Sequence, residues 1–168
     1  RGYALSIRGI AREVAGSFGL AFKDPAQIKI DFKDTGTPVA AKISDGAHVM
    51  YLRTMDGFNP AAPTPLWMRR RIEKCGMRSI SLAVDVTNYV MLELGQPLHA
   101  FDAEEIEGAL EIRRAGSSRK LTTLDGVERS LNEDDLVVAD RKKVLALAGT
   151  MGGLESEITE KTTRIAVE

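Results

Sequence analysis

The chain has 168 residues, enough for one domain with a hydrophobic core, and its formal net charge is −1. A protein that binds nucleic acid by itself usually has a clear basic excess, so any RNA contact here must be local or shared with other domains. The single cysteine excludes an internal disulfide and a cysteine-based zinc cluster, and it favours a reducing, cytoplasmic setting. No apolar run reaches the roughly 18 residues that span a membrane.

The first half of the chain predicts helices and short strands. Apolar side chains at helical spacing predict an amphipathic helix over residues 4–17. Apolar runs predict three strands, near residues 28–32, 38–43 and 49–53. Thr64 followed by Pro65 predicts the start of a second helix, with Pro65 as its first residue. Met68, Ile72 and Cys75 are predicted to form the apolar face of that helix. Gly76 is predicted to mark its end.

Residues 81–94 form an apolar segment whose secondary structure is ambiguous from its composition. The β-branched side chains of Val84, Val86 and Val90 suit a strand as well as a helix. Because strands of this length are rare, the segment is predicted to be a helix that ends at Gly95.

The second half of the chain predicts an antiparallel β region. Residues 109–114 and 163–168 predict single strands, and residues 136–148 predict a hairpin. A further hairpin is predicted over residues 120–131, because Asp125-Gly126 suits a type I′ turn. Helices early and antiparallel strands late indicate an α+β fold.

His99 is the first candidate for chemistry. It follows Pro97 on a stiff segment after a helix end, and an imidazole can orient or activate a water molecule near neutral pH. A histidine that only binds a backbone group is the simpler interpretation. Thr87 and Asn88 are polar residues within the apolar segment 81–94, and they suit either contacts to an amide, ester or ribose or a structural role.

Small residues between 146 and 153 form either a plain turn or a pocket wall to which a ligand comes close. Glu168 is predicted to share a strand face with Arg164 and Ala166, and its simplest interpretation is a charge at the rim. Four cationic residues on the second helix predict a solvated face or, as the weaker alternative, an RNA contact: Arg69, Arg70, Arg71 and Lys74.

The sequence contains no motif for metal or nucleophilic catalysis. Its two histidines, His48 and His99, are far apart, and no His/Cys/Asp cluster has metal-ligand spacing. No serine lies in a nucleophile elbow. If the protein is a hydrolase, its nucleophile is therefore expected to be water.

Four segments resemble the phenylalanyl-tRNA synthetase beta subunit family. The most specific reads DVTNYVMLELGQPLHAFD over residues 85–102. The others read LSIRGIAREVA at 5–15, LTTLDG at 121–126 and LAGTMGGLESE at 147–157. Ser79 stands where the family commonly has proline, and Thr150 stands where it commonly has an aliphatic residue.

The resemblance implies a fold and a parent enzyme. The whole chain, residues 1–168, is expected to be one editing domain, with a helix–strand–helix subregion at 1–76 and a pocket-forming subregion at 77–168. Its fold is expected to be a layered β-sandwich of unusual topology, mostly antiparallel, with flanking helices. The start at Arg1 and the end at Glu168 indicate a piece of a longer beta subunit.

The parent is expected to be a cytoplasmic tetramer of two alpha and two beta chains that uses ATP and magnesium and acts on tRNA(Phe). This segment itself is expected to need no cofactor, no metal and no membrane. The resemblance further implies hydrolysis of tyrosine wrongly attached to that tRNA.

The resemblance also assigns roles to residues. It places His99 near the scissile ester, and it places Thr87 and Asn88 beside the bound amino acid and terminal adenosine. His99 and Asn88 are expected to position the attacking water. Glu168 corresponds to the glutamate that recognises the tyrosine hydroxyl. Three small residues correspond to the wall of the side-chain pocket: Ala148, Gly149 and Gly152.

Overall fold

The computed structural model describes residues 2–31, 34 and 36–168, and it divides into two compact units. The helical unit comprises the described residues of 1–36 and 62–98, and the β unit comprises residues 37–61 and 99–168. No described helix has the length and apolar character that a membrane crossing requires.

The first helix of the helical unit, α1, spans Ile7–Phe18, which confirms the predicted helix with a small shift. Its start is fixed by Ser6, whose side chain accepts a hydrogen bond from the Gly9 backbone N–H at 3.0 Å. It ends at Gly19, which adopts a left-handed conformation with φ of 64°.

The second helix, α2, spans Leu66–Lys74, and Pro65 is its N-cap rather than its first residue. Proline suits this place too, because a helix start leaves its first N–H groups without intrahelical partners. Met68 and Ile72 are buried as predicted, whereas Cys75 is exposed. Cys75 is the C-cap of α2, so it lies at the end of the helix rather than within it.

The third helix, α3, spans Leu82–Leu94 and ends at Gly95 with φ of 81°, as predicted. Its first turn contains Asp85, a fully buried carboxylate. Asp85 accepts hydrogen bonds from the hydroxyls of Thr64 and Ser79, both at 2.5 Å, and from the Ile80 backbone N–H at 2.9 Å. These bonds tie the segments before α2 and α3 to the α3 N-terminus, where the helix dipole favours an anion.

One predicted strand is wrong and another is displaced. Residues 28–31 form no strand, and Phe32 lies outside the described residues. Ile28 and Ile30 are both exposed. An alternating segment becomes a strand only when a neighbouring strand satisfies its backbone hydrogen bonds. The strand predicted near 49–53 begins at Arg53 instead. The prediction at 38–43 is confirmed by a strand over Ala40–Ile43.

The β unit contains two larger sheets and a hairpin in its described residues. Its strands are β1 Ala40–Ile43, β2 Arg53–Asp56, β3 Ala100–Asp102, β4 Ala109–Arg114, β5 Lys120–Thr122, β6 Glu128–Ser130, β7 Leu136–Ala139, β8 Val144–Leu147, β9 Met151–Gly152 and β10 Arg164–Val167. One sheet has the order β1-β4-β7-β8-β9, in which β1 and β4 are parallel and the other pairs are antiparallel. The second sheet has the order β2-β10-β3, and β5 pairs with β6.

Two cores hold these layers together. The core between the two larger sheets consists of Phe101, Ala103, Leu110, Ile112, Val138, Leu145, Ala146 and Ala166. The core between the five-stranded sheet and the β5–β6 hairpin consists of Ala115, Leu121, Leu131, Val137, Ala139 and Val144. The predicted α+β class, with a layered and mostly antiparallel sandwich, is therefore confirmed.

The β5–β6 hairpin forms where predicted, but its turn is not type I′. A type I′ turn needs positive φ at both central residues, and only Gly126 has it, at 77°. The Gly126 N–H instead donates to the Thr123 carbonyl at 2.8 Å. Asp125 has a negative φ, and its carboxylate accepts a hydrogen bond from the Thr123 hydroxyl at 2.5 Å.

Replacing Asp85 by alanine should lower the free energy of unfolding by about 3 kcal/mol, because three donors would lose their buried acceptor. Ser79→Ala, which removes one donor, should cost about 1 kcal/mol. Urea unfolding followed by circular dichroism measures both. The exposed Asp134→Ala is the control and should change the free energy by less than about 0.5 kcal/mol. An Asp85→Ala loss as small as the control's would contradict the anchoring role.

Candidate functional site

The pairing of β3 with β10 continues beyond both strands and brings His99 opposite Glu168. Within the ladder, Phe101 lies opposite Ala166. The His99 N–H donates to the Glu168 carbonyl at 3.1 Å, and the Glu168 N–H donates to the His99 carbonyl at 2.8 Å. Residues that exchange both hydrogen bonds in an antiparallel ladder have side chains on the same face. The imidazole and the carboxylate therefore share one face of this sheet.

That face is the inner face of the sandwich. Phe101 and Ala166 are fully buried in the core between the two larger sheets. His99 lies two residues before Phe101, and Glu168 lies two residues after Ala166, so both continue the same face. Both are only partly buried, which places them at the rim of the core.

Gly152 leaves the space that the imidazole of His99 occupies. A Cβ atom on Gly152 would lie 2.4 Å from Cε1 and 2.5 Å from Nε2 of His99. Gly152 has no positive φ, so space rather than backbone conformation requires glycine here. On its other side the imidazole packs edge-to-face on Phe101, with ring centroids 4.5 Å apart. His99 is thus held between a glycine backbone and an aromatic ring.

The β5–β6 hairpin fixes the position of β9 and of its glycines. The Leu124 N–H donates to the Gly152 carbonyl at 3.0 Å, and Thr123 forms a bridge with Gly153. The Gly153 N–H donates to the Leu145 carbonyl at 2.7 Å, and a Cβ on Gly153 would lie 2.5 Å from that oxygen. No sequence pattern predicts these contacts, because the turn residues of a hairpin do not say what its tip will touch.

Burial moves the pKa values of the facing pair in opposite directions. Loss of solvent lowers the pKa of the His99 imidazole below its ordinary value of 6.5. The same loss raises the pKa of the Glu168 carboxyl above its ordinary value of 4.5. His99 is therefore neutral near pH 7 and can accept a hydrogen bond from water. Glu168 is an acceptor with reduced hydration, which gains from a hydroxyl donor.

Ala148 and Gly149 lie in the tight turn between β8 and β9. Gly149 has φ of 66°, and a Cβ added to it would have no atom within 4 Å, so the turn conformation accounts for this glycine. The Ala148 N–H donates to the Leu136 carbonyl at 3.0 Å. Thr150 is exposed, and its N–H donates to the Leu147 carbonyl at 3.0 Å. This turn directs the chain into β9 and hence into Gly152.

Thr87 and Asn88 lie on α3, in the helical unit. Thr87 is buried, and its hydroxyl donates to the Val84 carbonyl at 2.8 Å, which gives it a structural hydrogen bond. Asn88 is partly buried. Their assignment to the ester and the amino acid stays a prediction.

The cationic residues of α2 also lie in the helical unit. Arg69 forms an ion pair with Glu73 at 2.8 Å, and Arg71 donates to the Tyr89 hydroxyl at 3.0 Å. Arg70 and Lys74 are exposed. Among the described residues, no group of three or more His, Cys, Asp or Glu side chains is placed to hold a metal ion.

The profile of the B3/4 domain matches residues 46–168. The chain belongs to the B3/4 domain family. It is 53% identical over 169 residues to the phenylalanine–tRNA ligase beta subunit of Thermobifida fusca (strain YX), covering all of this chain and 20% of that protein. It is 50% identical over 172 residues to the same subunit of Streptomyces avermitilis, covering all of this chain and 21% of that protein. The chain thus spans about a fifth of the length of these curated relatives.

A solved structure shares the fold. An N-terminal fragment of the phenylalanyl-tRNA synthetase beta subunit from Pyrococcus horikoshii matches with a TM-score of 0.60 at 12% identity, over 99% of this chain and 51% of that one. The resemblance that the four sequence segments indicate is confirmed by these matches.

Replacing Gly152 by alanine should displace the imidazole of His99, because the added methyl would overlap two ring atoms. We expect a shift of the His99 ring resonances in NMR spectra and a loss of about 1–3 kcal/mol in the free energy of unfolding, the usual cost of overpacking. Gly16→Ala on α1 is the matched control, since nothing lies within 4 Å of its Cβ position. Unmoved His99 resonances in the Gly152→Ala protein would refute the contact.

An NMR pH titration of the His99 imidazole should give a pKa below 6.5, because burial disfavours the charged ring. The His99 resonance is identified by its absence in His99→Gln. Since the unfolded chain then binds the proton more readily than the folded chain, stability should fall as the pH decreases through this range. A pKa at or above 6.5 would contradict the burial of the ring.

Proposed function

We propose that the chain is the editing domain of a phenylalanyl-tRNA synthetase beta subunit, which hydrolyses the ester of Tyr-tRNA(Phe). The observation that carries the proposal is the facing pair of His99 and Glu168 at the rim of the sandwich, with Gly152 against the imidazole. The imidazole of His99 suits the reacting ester, and the carboxylate of Glu168 suits a hydroxyl. The paired backbone holds both side chains on one face.

The relatives supply the setting of the proposal. They are phenylalanine–tRNA ligase beta subunits, and we propose that this chain acts within such a subunit, with alpha chains, a second beta chain and tRNA(Phe) as partners. ATP and magnesium serve the attachment of phenylalanine elsewhere in that cytoplasmic enzyme. The ester hydrolysis proposed here uses neither of them.

The proposed reaction is the attack of water on the ester carbonyl carbon. The neutral imidazole of His99 accepts a hydrogen bond from the water and orients it, and Asn88 is proposed to help place that water. The bond between the carbonyl carbon and the ribose oxygen then breaks. The ribose oxygen takes up one proton of the water, the other passes to solvent, and tyrosine leaves as its carboxylate. Positioning supplies the rate in this scheme, with no covalent intermediate on the protein.

Glu168 is proposed to select tyrosine over phenylalanine. The two amino acids differ by one hydroxyl, and a site for phenylalanine rejects tyrosine only partly. A second site that hydrogen-bonds the hydroxyl can discriminate by roughly 10⁴–10⁵, because the analogue without it leaves buried polar groups unpaired. Ala148 and Gly149 are proposed to line the wall of the amino-acid pocket, and Thr87 keeps the role that the resemblance implies, beside the bound amino acid.

A non-catalytic tRNA-docking or structural module is the alternative function. The cationic side chains of α2 favour it, because they suit contact with RNA phosphates. A tyrosine titration followed by NMR separates the two functions. Shifts at His99 and Gly152 support the editing pocket, whereas shifts near residues 69–74 on addition of RNA, with no response to tyrosine, support docking alone.

Replacing Glu168 by alanine should slow deacylation of Tyr-tRNA(Phe) by about 10- to 100-fold, the worth of one hydrogen bond to a charged group. The assay uses the chain itself and, in parallel, a whole synthetase that contains it. The backbone pairing with His99 does not involve the Glu168 side chain, so the fold should remain.

Glu160→Ala is the matched control, because this carboxylate is exposed. It should leave the deacylation rate unchanged. Clearance of tyrosine by Glu168→Ala at the rate of the control would refute the role given to Glu168.

A further inference from the structure

A half-exposed tryptophan on the helical unit is not used by the proposed deacylation. Trp67, the only tryptophan of the chain, lies on α2 and is 53% exposed. Its ring meets Tyr89 of α3 edge-to-face, with ring centroids 5.2 Å apart at an interplanar angle of 87°. An aromatic ring of this size left half in water has apolar area available for a ligand.

Arg71 holds the two rings in place. Its guanidinium carbon lies 5.6 Å from the centroid of Trp67 and 5.9 Å from that of Tyr89. Its Nη1 donates to the Tyr89 hydroxyl at 3.0 Å and lies 3.8 Å from the Glu93 carboxylate. Cation–π contacts and a hydrogen bond thus fix these three side chains, which we term the Trp67 platform, before any ligand arrives.

The surroundings of the Trp67 platform are cationic. Helix α2 carries four cationic side chains against the single carboxylate of Glu73. Glu73 is paired with Arg69, whereas Arg70 and Lys74 have no ion-pair partner among the described residues. This local excess contrasts with the net charge of −1 for the whole chain. It therefore favours an anionic ligand at this surface.

Aromatic rings beside free cations suit single-stranded nucleic acid. Every base has a face that can stack on an aromatic ring, and the phosphates between bases need positive charge. A protein partner would also use tryptophan and arginine, but the unpaired cations next to the rings complement a polyanion better.

We propose that the Trp67 platform stacks an unpaired base of RNA, with Arg70 and Lys74 on the adjoining phosphates. The inference rests on the proposed function only in naming that RNA as an unpaired stretch of tRNA(Phe).

The only tryptophan of the chain provides a direct readout. Titration with short unstructured oligo(A) should quench the Trp67 fluorescence in a saturable and salt-dependent manner, because stacking and phosphate contacts act together. Heparin, a polyanion without bases, should bind without comparable quenching. Equal quenching by heparin would overturn the proposal, because charge alone would then explain the signal. Oligo(A) carries no aminoacyl ester, so this result is independent of the deacylation assay.

Variants separate stacking from charge. In anisotropy measurements with labelled oligo(A), Trp67→Leu should bind at least roughly tenfold more weakly than the unchanged protein, in line with the loss of one stacked base. Arg70→Ala and Lys74→Ala should each weaken binding and reduce its salt dependence by about one counterion. Tyr51→Leu is the control, since Tyr51 is an exposed aromatic residue of the β unit.

Circular dichroism checks that each variant is folded, and Trp67→Phe, which retains an aromatic face, should recover most of the affinity. Unchanged affinity in folded Trp67→Leu would overturn the proposal. Equal losses in Trp67→Leu and Tyr51→Leu would overturn it as well.

Discussion

Two backbone hydrogen bonds between His99 and Glu168 are the constraint on which the candidate site depends. They extend the β3–β10 ladder by one pair, and a side chain's face in a ladder is set by its register. A slip of one residue would turn either side chain out of the sandwich. Phe101 and Ala166 oppose such a slip, because each would lose its buried position in the core. The apolar core thus specifies where the polar pair lies.

The position of His99 also depends on a neighbour that contributes no side chain. Gly152 accommodates the ring, and the hairpin tip at Leu124 holds Gly152 through its carbonyl. The imidazole therefore rests on strands of two sheets rather than on a flexible loop. Groups held by rigid elements keep their geometry within the narrow limits that a positioned water requires. In the segment after β8, Gly149 is required by the positive φ of a turn, whereas Gly152 is required by the close approach of the His99 ring.

Local patterns predicted the elements, and non-local contacts account for most of what they missed. Gly95 and the length of the apolar segment before it predicted α3. Asp125-Gly126 predicted the β5–β6 hairpin, although not its turn type, and apolar runs predicted the β7–β8 hairpin. The segment with Ile28 and Ile30 has the same alternation as a strand, but no described strand pairs with residues 28–31, and sequence alone does not show partners. The fully buried acceptor Asp85 was likewise missed, because its donors come from other segments. The pairing of His99 with Glu168 joins distant parts of the chain, so only family resemblance placed them in one site.

Partial burial connects the electrostatics of the site to the selectivity proposed for it. A hydrogen bond between a carboxylate and a phenol contributes little in bulk water, because water competes for both groups. The loss of solvent that raises the pKa of Glu168 also weakens that competition. The same loss lowers the pKa of His99 and keeps its ring neutral, as an acceptor for water. A site fully open to solvent would lose the discrimination, and a fully enclosed one would exclude the water that hydrolysis needs. The rim of the sandwich suits the proposed reaction, since it removes part of the solvent from His99 and Glu168 without enclosing them.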